Sequence, residues 1–493
     1  MMRTNLTYIL LASLFVAFSC TSEKPRHAED TGKYPGVFPD DAGATIPPNI
    51  APLNFRLEEA CDELYLSVKG KESELEEGFR GNKTSIAPDE WARFLDENKG
   101  DSIAFTVYAK TNKKWLKYKT FSYFVASEPI DEYLVYRLLS PGYQTWNKMG
   151  IYQRRLSDFK VEKILDNKLM PHTCMNCHAL AANNPDNMML HLRENNSGTI
   201  IIREGRVEKL QTKTPTTFSA VSFPYWHPSA KYIAFSINKV RQIFPASGQE
   251  RAHAYDMVSD MVIYDVDENE FFTSPLIFSD EAYEAFPCFS PDGQTLYYVT
   301  TQAKPMPQEI NAAKYSLCAI SFDPETGGLG ATVDTLISAS AIGKSVTMPR
   351  MSPDGKHILL TLANRGNFPA YDTDADLYLY HLNDSALVRL DRINSDQVES
   401  YHSWSSNGRW IIYSSRRMDG LHMNFYIAYM DETGNPGKPF LLPQEDPDFH
   451  DTFLYSFNIP EFSLKRVDVD PYEIENVAKQ SIGAQVKFDE HNH

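Results

Sequence analysis

The 493-residue chain reads as a mainly β protein: a β-sandwich-like domain, a short helical segment, then a ring of stacked sheets, a β-propeller of five or six blades. Three observations point there. The 27 Tyr, 28 Phe and 30 Pro residues favour short strands punctuated by turns. One unit recurs four times in a single register, beginning at Phe223, Phe286, Met348 and Tyr401. Between residues 51 and 130, apolar and polar residues alternate with the period of half-buried strands.

Taken in order, the chain opens with one positive charge, Arg3, and a short apolar run ending at Ser19, directly before Cys20. The run is shorter than the about 20 apolar residues a membrane span needs, and its layout is that of a secretory signal. Ala17 and Ser19 ahead of Cys20 resemble the bacterial lipoprotein box. That resemblance implies removal of residues 1–19 and lipid on Cys20, and it takes the net charge from −17 to −18 because Arg3 is lost. Two or more acyl chains anchor a protein stably, so the mature chain is expected on the outer membrane of a bacterial envelope, at its periplasmic face or the cell surface. Residues 20–50 are polar and Pro/Gly-rich and read as a flexible tether.

Residues 51–130 carry the alternating strands of the sandwich-like domain, with a short helix expected around Trp91 and Phe94 because acidic residues occupy its first turn. Residues 131–196 change character. Residues 131–139 and 154–165 show helical spacing, and so does 184–193, which yields a helical, cytochrome c-like segment.

The ring is expected over 197–465. In each of the four units an aromatic or Met residue leads into a Ser-Pro-Asp-Gly-like turn and then an alternating strand. Pro presets φ and Gly takes positive φ in that turn. Such a sheet cannot bury both faces alone, so copies must stack around an axis. A hairpin over 198–210 and a strand near 454–459 are expected to pair and close the ring, which removes sheet edges. Residues 466–493 read as a polar tail, loose or with a short helix.

The motif that carries chemistry is Cys174-Met-Asn-Cys177-His178. Cys-x-x-Cys-His is the c-type haem attachment pattern: two thiols reach the porphyrin vinyl groups and the adjacent imidazole meets the iron. Export supports haem c, since attachment takes place outside the cytoplasm. The same residues also read as a 174–177 disulfide or, with His172 and His191, as part of a zinc site. Candidate distal iron ligands are Met188, Met189 and His191; on a helix 188 and 191 would share a face. Arg193 could pair with a haem propionate, as Arg is the preferred partner of carboxylates. Cys61, Cys288 and Cys318 lie far apart and read as packing residues.

The 65 acidic and 48 basic residues, with no basic run, exclude a nucleic-acid binder. No Gly-x-Ser-x-Gly elbow and no phosphate-binding glycine loop occur, and no hydrolase or transferase motif marks an enzyme. Together, residues 50–55, 140–143, 151–155, the Cys174–His178 motif and the four repeats resemble the TolB-like translocation (PD40, WD40-like) β-propeller lipoproteins of Bacteroidetes that carry a c-type haem motif. The resemblance implies a lipid-anchored envelope protein with covalent haem c, serving electron transfer or a redox-linked scaffold. Its envelope or redox partner would be held by propeller loops such as 241–257 and 363–375. The alternative is a haem-free propeller that docks envelope protein or glycan partners.

Overall fold

A computed structural model describes residues 24–140, 148–243, 253–480 and 482–489. The signal segment, Cys20 and parts of 140–143 and 241–257 lie outside these residues. Six antiparallel sheets of four main strands each follow one another around an axis. Their innermost strands are Ser456–Ser463, Thr173–Ala181, Val221–Trp226, Ala282–Phe289, Ser345–Met351 and Glu399–Trp404, for blades 1 to 6. The ring therefore has six blades.

Blade 1 closes the ring from both ends of the chain. Its inner strand, Ser456–Ser463, pairs antiparallel with Tyr133–Leu139, which carries Gly150–Arg155 and Val161–Asp166 outside it. The 198–210 hairpin lies elsewhere, as Gly198–Arg203 and Arg206–Gln211, the outer strands of blade 2. This corrects the expected closure and moves the start of the ring back by some sixty residues, to Tyr133. It also removes the helical segment. Residues 131–196 form the three outer strands of blade 1 and the first two strands of blade 2. The physical reason is burial on both faces. Tyr133–Leu139 is buried at five of seven positions, and a strand covered on both sides presents a continuous apolar run that periodicity cannot tell from a helix.

Every inner strand carries the same irregularity. The pairing register slips across Asn176-Cys177, Phe223-Pro224, Phe286-Pro287, Met348-Pro349, Tyr401-His402 and Ile459-Pro460. Five of the leading residues (Phe223, Phe286, Met348, Tyr401 and Ile459) have positive φ. A bulge frees a backbone N–H from the ladder, which is where Pro is tolerated. Cys177 thus stands where four other blades place Pro, at the position that turns side chains toward the axis.

The N-terminal region is built on a seven-stranded sheet, accompanied only by a two-stranded ribbon of Val37–Phe38 and Arg56–Leu57 rather than by a second full sheet. Helix α1, Pro88–Glu97, inserts Trp91, Phe94 and Leu95 into the core it shares with the sheet. The same core continues through Trp410, Phe425 and Phe457 of blades 6 and 1, so the domain is welded to the ring. Trp410 Nε1 donates to the Glu128 carbonyl at 3.2 Å, and the Ser406 N–H to Asp131 at 2.8 Å. The expected tether is also packed over much of its length: Val37, Ala44, Ile46 and Ile50 are buried in this core. The tail is no looser. Helix α2, Pro471–Ala478, buries Ile474 and Ala478, and Ala484–Gln485 and Lys487–Phe488 add parallel to the outer edges of blades 2 and 3.

Candidate functional site

The Cys-x-x-Cys-His motif lies on the innermost strand of blade 2, so the six-fold geometry aims it at the axis. Cys174 and Cys177 are both free and buried, at 6% and 3% exposure. They line one cavity of about 370 Å³ at one end of the channel, together with Arg137, Arg193, Tyr371 and Tyr401. Arg193 sits there because it pairs across the strands with Cys174. Burial pushes the Cys174 thiol up, and the Arg137 and Arg193 guanidiniums oppose that shift.

Beyond Cys177 the channel narrows. Cys177 and His178 border this constriction with Phe223, Phe286, Met348 and Ile459, and the Phe223 and Phe286 rings lie 4.3 Å apart. His178 is 2% exposed and neither ring nitrogen makes a well-formed hydrogen bond. Its pKa falls to about 3, first through burial and then through Arg137, while the carbonyls of Val135 and Ile459 oppose the fall. At neutral pH the imidazole is therefore uncharged and has a lone pair to give.

Arg137 organises this strand, and it was not legible in the sequence. It sits 37 positions before Cys174 on a different blade. Its Nη1 donates to the Asn176 carbonyl and, at 3.4 Å, to that of Met175, and its Nη2 to Asn458 Oδ1 at 2.9 Å. One buried guanidinium thus ties the thiol strand to the strand that closes the ring.

The three candidate distal ligands are not gathered at this cavity. Residues 184–194 are a strand, so the face expected to join 188 to 191 does not exist. Met188 packs in the core between blades 1 and 2, and Met189 in that between blades 2 and 3. His191 Nδ1 shares a hydrogen bond with Thr199 Oγ1 at 2.9 Å, and burial followed by Arg193 lowers its pKa to about 3. Among the described residues no cluster of three or more His, Cys, Asp and Glu could hold a metal ion, so His172 and His191 do not complete a zinc site. No helix among the described residues is long and apolar enough to cross a membrane. Cys288 and Cys318 are buried in blade cores, and Cys61 is partly buried beside the N-terminal core.

The opposite end of the channel opens into a second cavity of about 260 Å³ walled by Tyr225, Trp226, Phe289 and Trp404, with Arg350 and Glu461 at its floor.

No family model matches the chain, and no curated protein matches it. Among solved structures it is similar to TolB from Acinetobacter baumannii, with 12% identity over 73% of this chain and 78% of the other at a TM-score of 0.41. A putative TolB from Agrobacterium tumefaciens is similar at 12% identity, 64% and 89% coverage and a TM-score of 0.36. So is a hypothetical selenium-binding protein from Sulfolobus tokodaii, at 10% identity, 84% and 96% coverage and a TM-score of 0.41. With TM-scores below 0.5 and identities of 10–12%, nothing about this chain follows from these likenesses.

Proposed function

We propose that the chain is a lipid-anchored envelope protein that carries covalent haem c at one mouth of its propeller, in electron transfer or as a redox-linked scaffold. The observation that carries this reading is the convergence of two free thiols and a neutral imidazole without a well-formed hydrogen bond, all from one inner strand, onto contiguous space at the axis. Cys174 and Cys177 would hold the group through thioether bonds, and His178 would ligate the iron. Haem bound there would supply one-electron chemistry. The chain's own part is electrostatic: Arg137 and Arg193 place positive charge at the same mouth, where propionates would need it. Burial holds His178 neutral, so one of its two ring nitrogens keeps a lone pair that a metal could take. The distal ligand is left to residues other than Met188 and Met189, whose side chains fill blade cores. Cys20 would carry the lipid.

The test is intact mass and visible spectrum of the full chain matured in a host that exports it and attaches haem. One haem of added mass, retained after acid-acetone extraction and lost in Cys174→Ser/Cys177→Ser, is the expected result. A colourless protein of unmodified mass overturns the haem assignment and leaves the haem-free docking propeller.

A further inference from the structure

The second cavity, at the end of the channel away from the thiols, is built as a binding site in its own right. Its walls are rigid. Trp226 Nε1 donates to the Ala179 carbonyl at 3.1 Å and Trp404 Nε1 to the Arg350 carbonyl at 3.0 Å, so both indoles are fixed with their polar edges already satisfied. They offer apolar faces to the cavity, as does Phe289. The floor is polar and incomplete. The Arg350 guanidinium lies 5.3 Å from the centroid of the Tyr225 ring and donates through Nη1 to the Pro349 carbonyl at 3.1 Å, but makes no ion pair with any described residue. Glu461 accepts the Leu180 N–H at 2.7 Å through one oxygen. Arg350 and Glu461 feel each other's charge without closing to an ion pair. Between them, Ser403 is 8% exposed and its Oγ has no hydrogen-bond partner.

The floor of this aromatic cup thus holds a cation and an acid apart, neither of them in an ion pair with a described residue, beside a hydroxyl that has no hydrogen-bond partner. Buried polar groups are nearly always paired, and ligand sites combine apolar walls with a few convergent polar groups. We infer that this mouth binds a small zwitterion with an apolar side chain, an α-amino acid in chemical class. Its carboxylate meets Arg350 and Ser403, its ammonium meets Glu461, and its side chain lies against Trp226, Trp404 and Phe289. Guanidinium–carboxylate contacts are charge-assisted and among the strong hydrogen bonds. The ammonium also favours the charged form of a carboxyl that burial pushes up to about 7. The cavity of about 260 Å³ admits one such molecule.

The test uses the full chain, with or without haem, and L-phenylalanine as probe, followed by calorimetry and by the fluorescence of the lining indoles. Saturable binding is expected. L-Phenylalaninamide, which lacks the carboxylate, and 3-phenylpropionate, which lacks the ammonium, are each expected to bind at least tenfold more weakly. Arg350→Gln should erase the difference between the acid and its amide. Glu461→Gln keeps an acceptor for the Leu180 N–H and should erase the preference for the ammonium. Ser403→Ala, a change too small to disturb the blade, should weaken the probe several-fold with no change in melting temperature. Equal binding of all three compounds, no binding by the wild type at millimolar probe, or wild-type affinity in the folded Arg350→Gln chain would each overturn the assignment.

Discussion

Arg137→Met isolates the contact that joins ring closure to the thiol strand. The side chain is 7% exposed, so Met replaces most of its stem volume while removing the fork. Two good bonds are lost, to the Asn176 carbonyl and to Asn458 Oδ1, while the 3.4 Å bond to Met175 contributes little. Hydrogen bonds to a charged group contribute about 1.5–3 kcal/mol each. Against that loss, the variant no longer buries a cation, which returns part of the desolvation cost. The carbonyl and the amide oxygen stay buried without donors, each costing about 1–3 kcal/mol, so the loss wins and the net is about 3 kcal/mol. For a chain of this size that is a fall in melting temperature of roughly 3 °C. Arg137→Lys keeps the charge but not the two-pronged donor, so it should recover less than half. The assay is urea unfolding followed by circular dichroism, with the reaction rate of Cys174 and Cys177 toward a thiol reagent measured on haem-free protein. Both variants should shift the midpoint down and raise the rate. Wild-type midpoints and wild-type thiol rates in both would refute the role given to Arg137.

Gly293→Ala should cost well over 1 kcal/mol, because φ is +72° and a Cβ would fall 2.1 Å from His227 Nε2. Gly355→Ala, in the same turn of the next blade, meets nothing nearer than 3.9 Å and should cost only the conformational strain of about 1 kcal/mol; equal melting temperatures for the two variants would refute the clash. Trp410→Ala should destabilise by about 3–5 kcal/mol and separate the N-terminal sheet from the ring, read as a new early protease cut between them. Glu284, buried and beside Asp260, has its carboxyl pushed up to about 9, first by burial and then by the Asp260 charge. Folded chain keeps a proton that the unfolded chain releases above about 4.3, so this stability is full at acid pH and is lost as pH rises through about 9. Glu284→Gln should flatten the fall in urea midpoint between about pH 7 and 9, a range in which His178, His191 and His402, all lowered to about 3, no longer titrate in the folded state; an unchanged slope would show that another group sets it.

The repeats, the turn chemistry and the Cys-x-x-Cys-His pattern are local, and they were legible in the sequence. Ser-Pro-Asp-Gly announces its turn wherever it lies, and its recurrence with a leading aromatic requires a ring of sheets. The spacing of Cys174, Cys177 and His178 suggested a chemistry from the sequence alone, and the fold sets Arg193 across the strands from Cys174. Blades 1 and 2 were legible only in the 198–210 hairpin and the strand near 454–459. They lack the Pro-Asp-Gly signature, and their strands are buried on both faces, so Tyr133–Leu139 and Asn184–Glu194 mimicked helices. That one misreading displaced the ring's start, the closing strand and the face on which Met188 and His191 were thought to meet. The six-blade count, the bulge that turns Cys177 toward the axis and the grip of Arg137 on the thiol strand depend on residues far apart in the chain. So does the gathering of Arg350, Glu461 and Ser403 at the far mouth. Local propensity acts over a few residues, so it determined the units and their chemistry. Which units meet across the axis is decided by burial summed over the whole ring, and only the tertiary structure contains that sum.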